Sequence, residues 1–141
     1  LSSDKVAIVA SIVAKDKKIR KLVHAFQVEC AYNPPKKYDG SCLDGRDCGS
    51  VVVKDADVKF YINASLKVRA SRRYKELKTK NKKITYKEVL KSIRKRDKSD
   101  KNRKISPLKK TKDMVLLNSS SESISSCFIK IKKIIDRKIN N

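Results

Sequence analysis

No glycine-rich phosphate cradle of the Gly-x-x-x-x-Gly-Lys-Ser/Thr kind occurs in these 141 residues, which hold only three glycines. Anion binding by a ring of backbone N–H groups of that type is thereby excluded. Tryptophan is absent, and three phenylalanines and five tyrosines leave few platforms on which the bases of a single strand could stack. The one histidine (His24) and four cysteines (Cys30, Cys42, Cys48, Cys127), with no Cys-x-x-Cys pair, do not supply the spaced ligands zinc needs. No metal site is expected, and reduced thiols of a cytoplasmic protein are the default. No apolar stretch approaches the ~20 residues needed to cross a bilayer, and no signal sequence is visible, so no membrane partner is expected. The chain starts at Leu1 rather than Met, which reads as a fragment or a processed form.

Acids are scarce beside bases: 15 Asp and Glu against 37 Lys and Arg give a formal net charge of +22. Taken bare, that charge argues for an anionic partner. The lysines are scattered rather than gathered into one run, however, which favours a lysine-rich surface over a nucleic-acid track. A basic nucleic-acid-binding module is the alternative reading, and it predicts binding that weakens steeply with salt. At 39% hydrophobic residues the chain can bury a core as one domain.

Val6, Val9, Ala10 and Val13 fall at helical spacing, and Ile19, Leu22, Val23 and Phe26 repeat the pattern beyond Asp16 and two lysines, so a helix pair or one bent helix is expected. Asn33-Pro34-Pro35 ends the second helix, because proline removes a donor and restricts its predecessor. Cys42-Leu43 reads as a short strand delivering Asp44 to Asp47 to its end, after a polar loop from Lys36 to Gly40. Val51 to Val53 is a β-branched run, and Val58 to Ile62 reads as a buried strand. Ser65 caps a helix to about Thr79 that carries Arg69, Arg72 and Arg73. Lys80 to Lys83 is a solvated turn, and Thr85 to Glu88 is a capping box opening a helix with Val89, Leu90 and Ile93 on its buried stripe. Met114 to Leu117 is a further strand candidate. The last helix sets Ile124, Phe128, Ile131 and Ile135 on one face. Such alternation predicts an α/β sheet with helices packed on it.

Two charged clusters stand out. Leu43-Asp44-Gly45-Arg46-Asp47, with Gly49 beyond, places two acids around an arginine between glycines. Three charges after an apolar run are costly to bury without a ligand. The second cluster is Arg94, Arg96, Asp97, Asp100 and Arg103. Arg96, Asp100 and Arg103 share one helix face at i, i+4 and i+7, which reads either as an ion-pair ladder in water or as a lid whose guanidinium forks close over phosphates. On spacing alone the ladder is favoured.

In their order and spacing these blocks resemble the bacterial cytidylate kinases, a branch of the P-loop nucleoside monophosphate kinases. The resemblance spans about Asp4 to Asn141. It is carried by Ala10-Ser11 through Arg20, Asn33-Pro34-Pro35, Leu43 to Gly49, Asp55-Ala56-Asp57, Arg69-Ala70-Ser71-Arg72-Arg73-Tyr74, Arg94-Lys95-Arg96-Asp97 to Arg103, and Pro107-Leu108. It implies a parallel α/β sheet of the P-loop kinase type, incomplete because the central P-loop strand is absent, with a helical monophosphate-binding insert and a mobile lid. The implied organisation is 1–38 for the helical part of the CMP domain, 39–79 for core strands and helix, 80–104 for the lid, and 105–141 for the last strand and helix.

The activity implied is transfer of the γ-phosphoryl of ATP to CMP or dCMP, with Mg²⁺, by a monomer. By the same resemblance Arg20, Asp47 and Arg103 would read cytosine, Ser11, Arg96 and Asp100 would hold the sugar, and Arg46 would bind the α-phosphate. Arg73 would serve the phosphates, and the lid arginines Arg96 and Arg103 would assist the transfer. Lys54 stands where the family has proline and Cys48 where a larger apolar residue is usual, neither in the carried-over pocket. The missing phosphate loop is the serious departure. It implies that the chain alone is inactive and that a segment bearing the loop would be its partner.

Overall fold

The computed structural model describes residues 4–13, 16–80 and 83–139. The chain divides into two compact units. Residues 1–54 with 103–109 form the first, and residues 55–102 with 110–141 the second.

In the first unit, α1 (Asp4–Val13) and α2 (Lys17–Tyr32) are the expected helix pair. Asp16 separates them by acting as an N-cap: its carboxylate accepts from the N–H groups of Lys18 at 2.8 Å and Ile19 at 3.0 Å. At the other end Asn33 N–H donates to the Glu29 carbonyl at 2.9 Å before the two prolines stop the helix. The strand expected at Cys42-Leu43 does not form. The chain runs irregularly to Asp47 and then winds into one π-helical turn, Cys48–Val52, which takes up part of the β-branched run as well. The Asp47 carbonyl accepts from the N–H groups of Ser50, Val51 and Val52 at 3.2, 2.8 and 3.3 Å, and Val53 N–H donates to the Cys48 carbonyl at 2.8 Å. Backbone groups that strand pairing would have used are thus satisfied within the turn. The apolar residues at helical spacing in α2 stand largely in solvent: Leu22 is 73% and Phe26 70% exposed.

In the second unit β1 (Phe60–Asn63) and β2 (Val115–Asn118) pair in parallel, with Phe60 opposite Val115 and Asn63 opposite Asn118. Two helices cross between them, α3 (Leu66–Lys80) and α4 (Tyr86–Asn102), as parallel pairing requires. β1 is not the buried strand the sequence suggested, because Ile62 is 53% exposed. Ser65 caps α3, its hydroxyl accepting from Val68 N–H at 3.3 Å. The capping box of α4 is complete: Thr85 N–H donates to Glu88 Oε2 at 2.9 Å and Glu88 N–H to Thr85 Oγ1 at 3.3 Å. The Thr85 hydroxyl and amide hold the Glu88 carboxyl below its ordinary range. α3 and α4 run antiparallel, with Ala70 fully buried on one and Val89 buried on the other. Part of the solvated turn expected between them, residues 81 and 82, lies outside the described residues. α5 (Ile124–Ile139) forms as expected, yet two members of its predicted apolar face are in solvent, Ile124 at 92% and Phe128 at 64% exposure.

Lys59, with its side chain 8% exposed, ion-pairs with Asp113 where the chain enters the two strands. Lys59 foremost, with the neighbouring Thr111 side chain, holds the Asp113 carboxyl down to about 2, from an ordinary 3.8. A depressed acid stabilises the fold fully above its unfolded value, and that stabilisation is lost as the pH falls through the folded one. The thermal midpoint is therefore expected to drop between 3.8 and about 2, and Asp113→Asn to flatten that part of the profile. Scans across pH with both proteins check this, and parallel acid limbs would rule it out.

Candidate functional site

Asp47 and Asp100 are the buried acids among the described residues, at 9% and 4% exposure. Both belong to the charged clusters picked out in the sequence. A carboxylate is withdrawn from water at a cost unless cations or donors compensate it, so each burial has to be explained by its partners.

For Asp47 the partner is Arg20. Arg20 sits in the first turn of α2, its N–H donating to the Asp16 carbonyl at 3.0 Å. Its Nη2 donates to Asp47 Oδ2 across the unit, with the two side chains 20% and 12% exposed. The capped start of α2 and the π-helical turn thus bring together two residues 27 positions apart. Gly45 is required by packing here: a Cβ on it would lie 2.6 Å from Cys48 Sγ. Burial, and then the charges of Asp47 and Asp44, push the Cys48 thiol above its ordinary value, so it stays a neutral packing group. Arg46 is half-buried in the same unit.

Arg103 also lies in the first unit, where its Nε donates to the Ser106 carbonyl. Ser106 has φ of 48°, a left-handed conformation unusual for a residue with a side chain, immediately before Pro107. That local fold turns the chain back on Arg103 just after α4. In the second unit Arg96 Nε is 3.8 Å from Asp100 Oδ2 on one face of α4, with Arg96 45% exposed. The helix spacing is as expected, but a carboxylate 5% exposed is not an ion-pair ladder in open water. Arg73 ion-pairs with Glu76 at 2.8 Å on α3. Ser11 lies on α1, and its side chain falls outside the described residues.

Two arginines of α3 have roles that sequence spacing did not reveal. Arg72 holds the loop after β2, its Nη2 donating to the Ser119 carbonyl at 2.6 Å and the Glu122 carbonyl at 3.0 Å. Arg69 forms a two-bond fork with Asp97 of α4. The signal in the sequence was the acid beside Arg96, which had no partner assigned.

A small hollow lined by Ala56, Val58, Lys59, Asp113, Val115 and Ile134 measures about 130 Å³. That is below the ~300–1,000 Å³ of ordinary ligand sites. It lies by the Lys59–Asp113 pair, and none of the candidate-site arginines lines it. No helix among the described residues is long and apolar enough to cross a membrane.

Parallel strands joined through helices define an α/β protein. The family model described as "Cytidylate kinase" matches residues 1–137. The chain is 47% identical over 115 residues to the cytidylate kinase of Clostridium botulinum (strain Okra / Type B1), covering 82% of this chain and 52% of that protein. It is 38% identical over 138 residues to the cytidylate kinase of Thermosipho melanesiensis, covering 98% of this chain and 61% of that protein. The cytidylate kinase of Clostridium tetani is 47% identical over 97 residues, 69% of this chain and 43% of that protein. The chain belongs to the cytidylate kinase family. It spans about half the length of the curated relatives it matches.

Proposed function

We propose that this chain supplies the nucleoside-monophosphate side of a cytidylate kinase, binding CMP or dCMP for phosphoryl transfer from ATP. The observation that carries this reading is that the two buried acids among the described residues, Asp47 and Asp100, are the two acids of the candidate site, each with a site arginine beside it. Arg20 can donate to the O2 and N3 of cytosine, and Asp47 can accept from its 4-amino group. Arg103 completes the base set. Ser11, Arg96 and Asp100 hold the sugar, Arg46 takes the α-phosphate, and Arg73 serves the phosphates. Arg96 and Arg103 then steady charge that moves during transfer, which is most of what catalysis of this reaction demands.

Mg²⁺ would arrive with ATP. The described residues contain no cluster of three or more His, Cys, Asp or Glu able to hold an ion. The parallel pair β1–β2 would be part of a larger sheet, a reading supported by its having two strands among the described residues, and the 53% exposure of Ile62 and 52% of Leu116 leaves its faces partly uncovered. Parallel strands ordinarily have both faces covered. The phosphate loop that the 141 residues lack would come from a segment lying against that sheet, and the protein would act in the cytoplasm as a monomer. The nucleic-acid alternative gains nothing from the family or from the three relatives named above.

Calorimetric titration of the purified chain tests the reading. CMP is expected to bind selectively over AMP and GMP. Equal or absent binding of the three would end it, and salt-sensitive binding of an RNA oligomer without CMP binding would favour the alternative.

A further inference from the structure

Arg69 and Asp97 tie the two helices of the β1–β2 crossover together. Arg69 Nη1 donates to Asp97 Oδ1 at 2.9 Å and Nη2 to Asp97 Oδ2 at 2.7 Å, while Nε donates to the Ala64 carbonyl at 2.9 Å. All three guanidinium nitrogens are thereby engaged, in the planar two-point geometry that only arginine offers a carboxylate. One end of the fork is anchored where β1 runs into α3. The other grips α4 at the residue next to Arg96 and three before Asp100.

The pair is 35% and 29% exposed, so its contribution to folding is screened. The hairpin has other contacts besides it. Ala70 and Val89 are buried, and the rings of Tyr74 and Tyr86 meet edge to face at 6.1 Å toward the opposite end. Those contacts hold the helices side by side, whereas the fork fixes how α4 is rotated and slid at its C-terminal half. An ammonium in place of the guanidinium could not set both coordinates.

We infer that Arg69 is a positioning residue: through Asp97 it sets the placement of Arg96 and Asp100 for the monophosphate, without touching the ligand itself. This rests on the function proposed above. It adds to that function a residue outside the ligand-contacting set.

The test compares CMP titrations and amide exchange in the full chain for the wild type, Arg69→Lys, Asp97→Asn and Asp97→Glu. Arg69→Lys and Asp97→Asn are expected to bind CMP about fivefold or more weakly, a scale typical of residues that act through another. Amides of the last turns of α4 should exchange faster in both, with the thermal midpoint moved by only a few degrees. Asp97→Glu keeps two carboxylate oxygens and should recover most of the affinity, which a loss of mere helix packing would not allow. Wild-type binding with both weakened variants indistinguishable from it would overturn the positioning role alone. So would Asp97→Glu as weak as Asp97→Asn. A wild type that does not bind CMP overturns the proposed function, and the positioning role falls with it.

Discussion

Changing Arg20 to methionine is expected to weaken CMP binding by about 10- to 100-fold, the worth of losing hydrogen bonds from a charged donor. Binding of AMP and GMP should change little. The reason lies in how the first unit is built. Asp16 caps α2 and fixes its first turn, so Arg20 leaves the helix at a defined place and meets Asp47 ahead of the π-helical turn. A cytosine ring entering there would find donors and an acceptor already placed, and preorganised groups lose little freedom on binding.

Removal of the guanidinium also leaves a carboxylate of 9% exposure without its arginine, which lowers stability by about 1–3 kcal/mol. Arg20→Lys separates the two effects. It keeps a cation near Asp47 and much of the stability, but it cannot reproduce a planar fork, so selectivity for CMP should still fall. Titration calorimetry and thermal melts on both variants provide the check. Wild-type affinity in Arg20→Met would remove the cytosine-reading role.

No CDP above background is expected when the chain alone is incubated with ATP, Mg²⁺ and CMP. Phosphoryl transfer depends on placing positive charge and N–H donors around the β- and γ-phosphates, and the 141 residues contain no glycine-rich loop ending in Lys-Ser/Thr to do so. One phosphate-clamping arginine alone can be worth on the order of 10³-fold in rate, so losing a whole loop should bring transfer down to the uncatalysed level. Adding a separate segment that bears such a loop should restore CDP formation. A coupled assay of nucleoside diphosphate production reads the result. Turnover by the unassisted chain would show that the loop is dispensable.

Much of the fold was legible because its signals are local. The stop at Asn33-Pro34-Pro35, the Ser65 cap and the Thr85–Glu88 box each depend on neighbours within three or four positions. Helix periodicity located α5 but not the burial of its stripe. A period shows which residues share a face, not what comes to cover it. The strand expected at Cys42-Leu43 failed for a related reason. An apolar pair becomes a strand only beside a partner, and the sheet among the described residues, β1–β2, takes in neither Cys42 nor Leu43.

The sequence by itself determined the chemical inventory of the candidate site. It also determined the helix-face relation of Arg96 to Asp100, since four residues along a helix always bring side chains to one side. Only the tertiary structure decided that Arg20 reaches Asp47 from 27 positions away, that Asp100 is buried rather than solvated, and that Arg69 grips Asp97 from another helix. Those facts depend on how separate elements pack, and packing sums many weak contacts between residues distant in the chain. No window along the sequence contains both partners of such a contact, so its geometry appears only once the chain has folded.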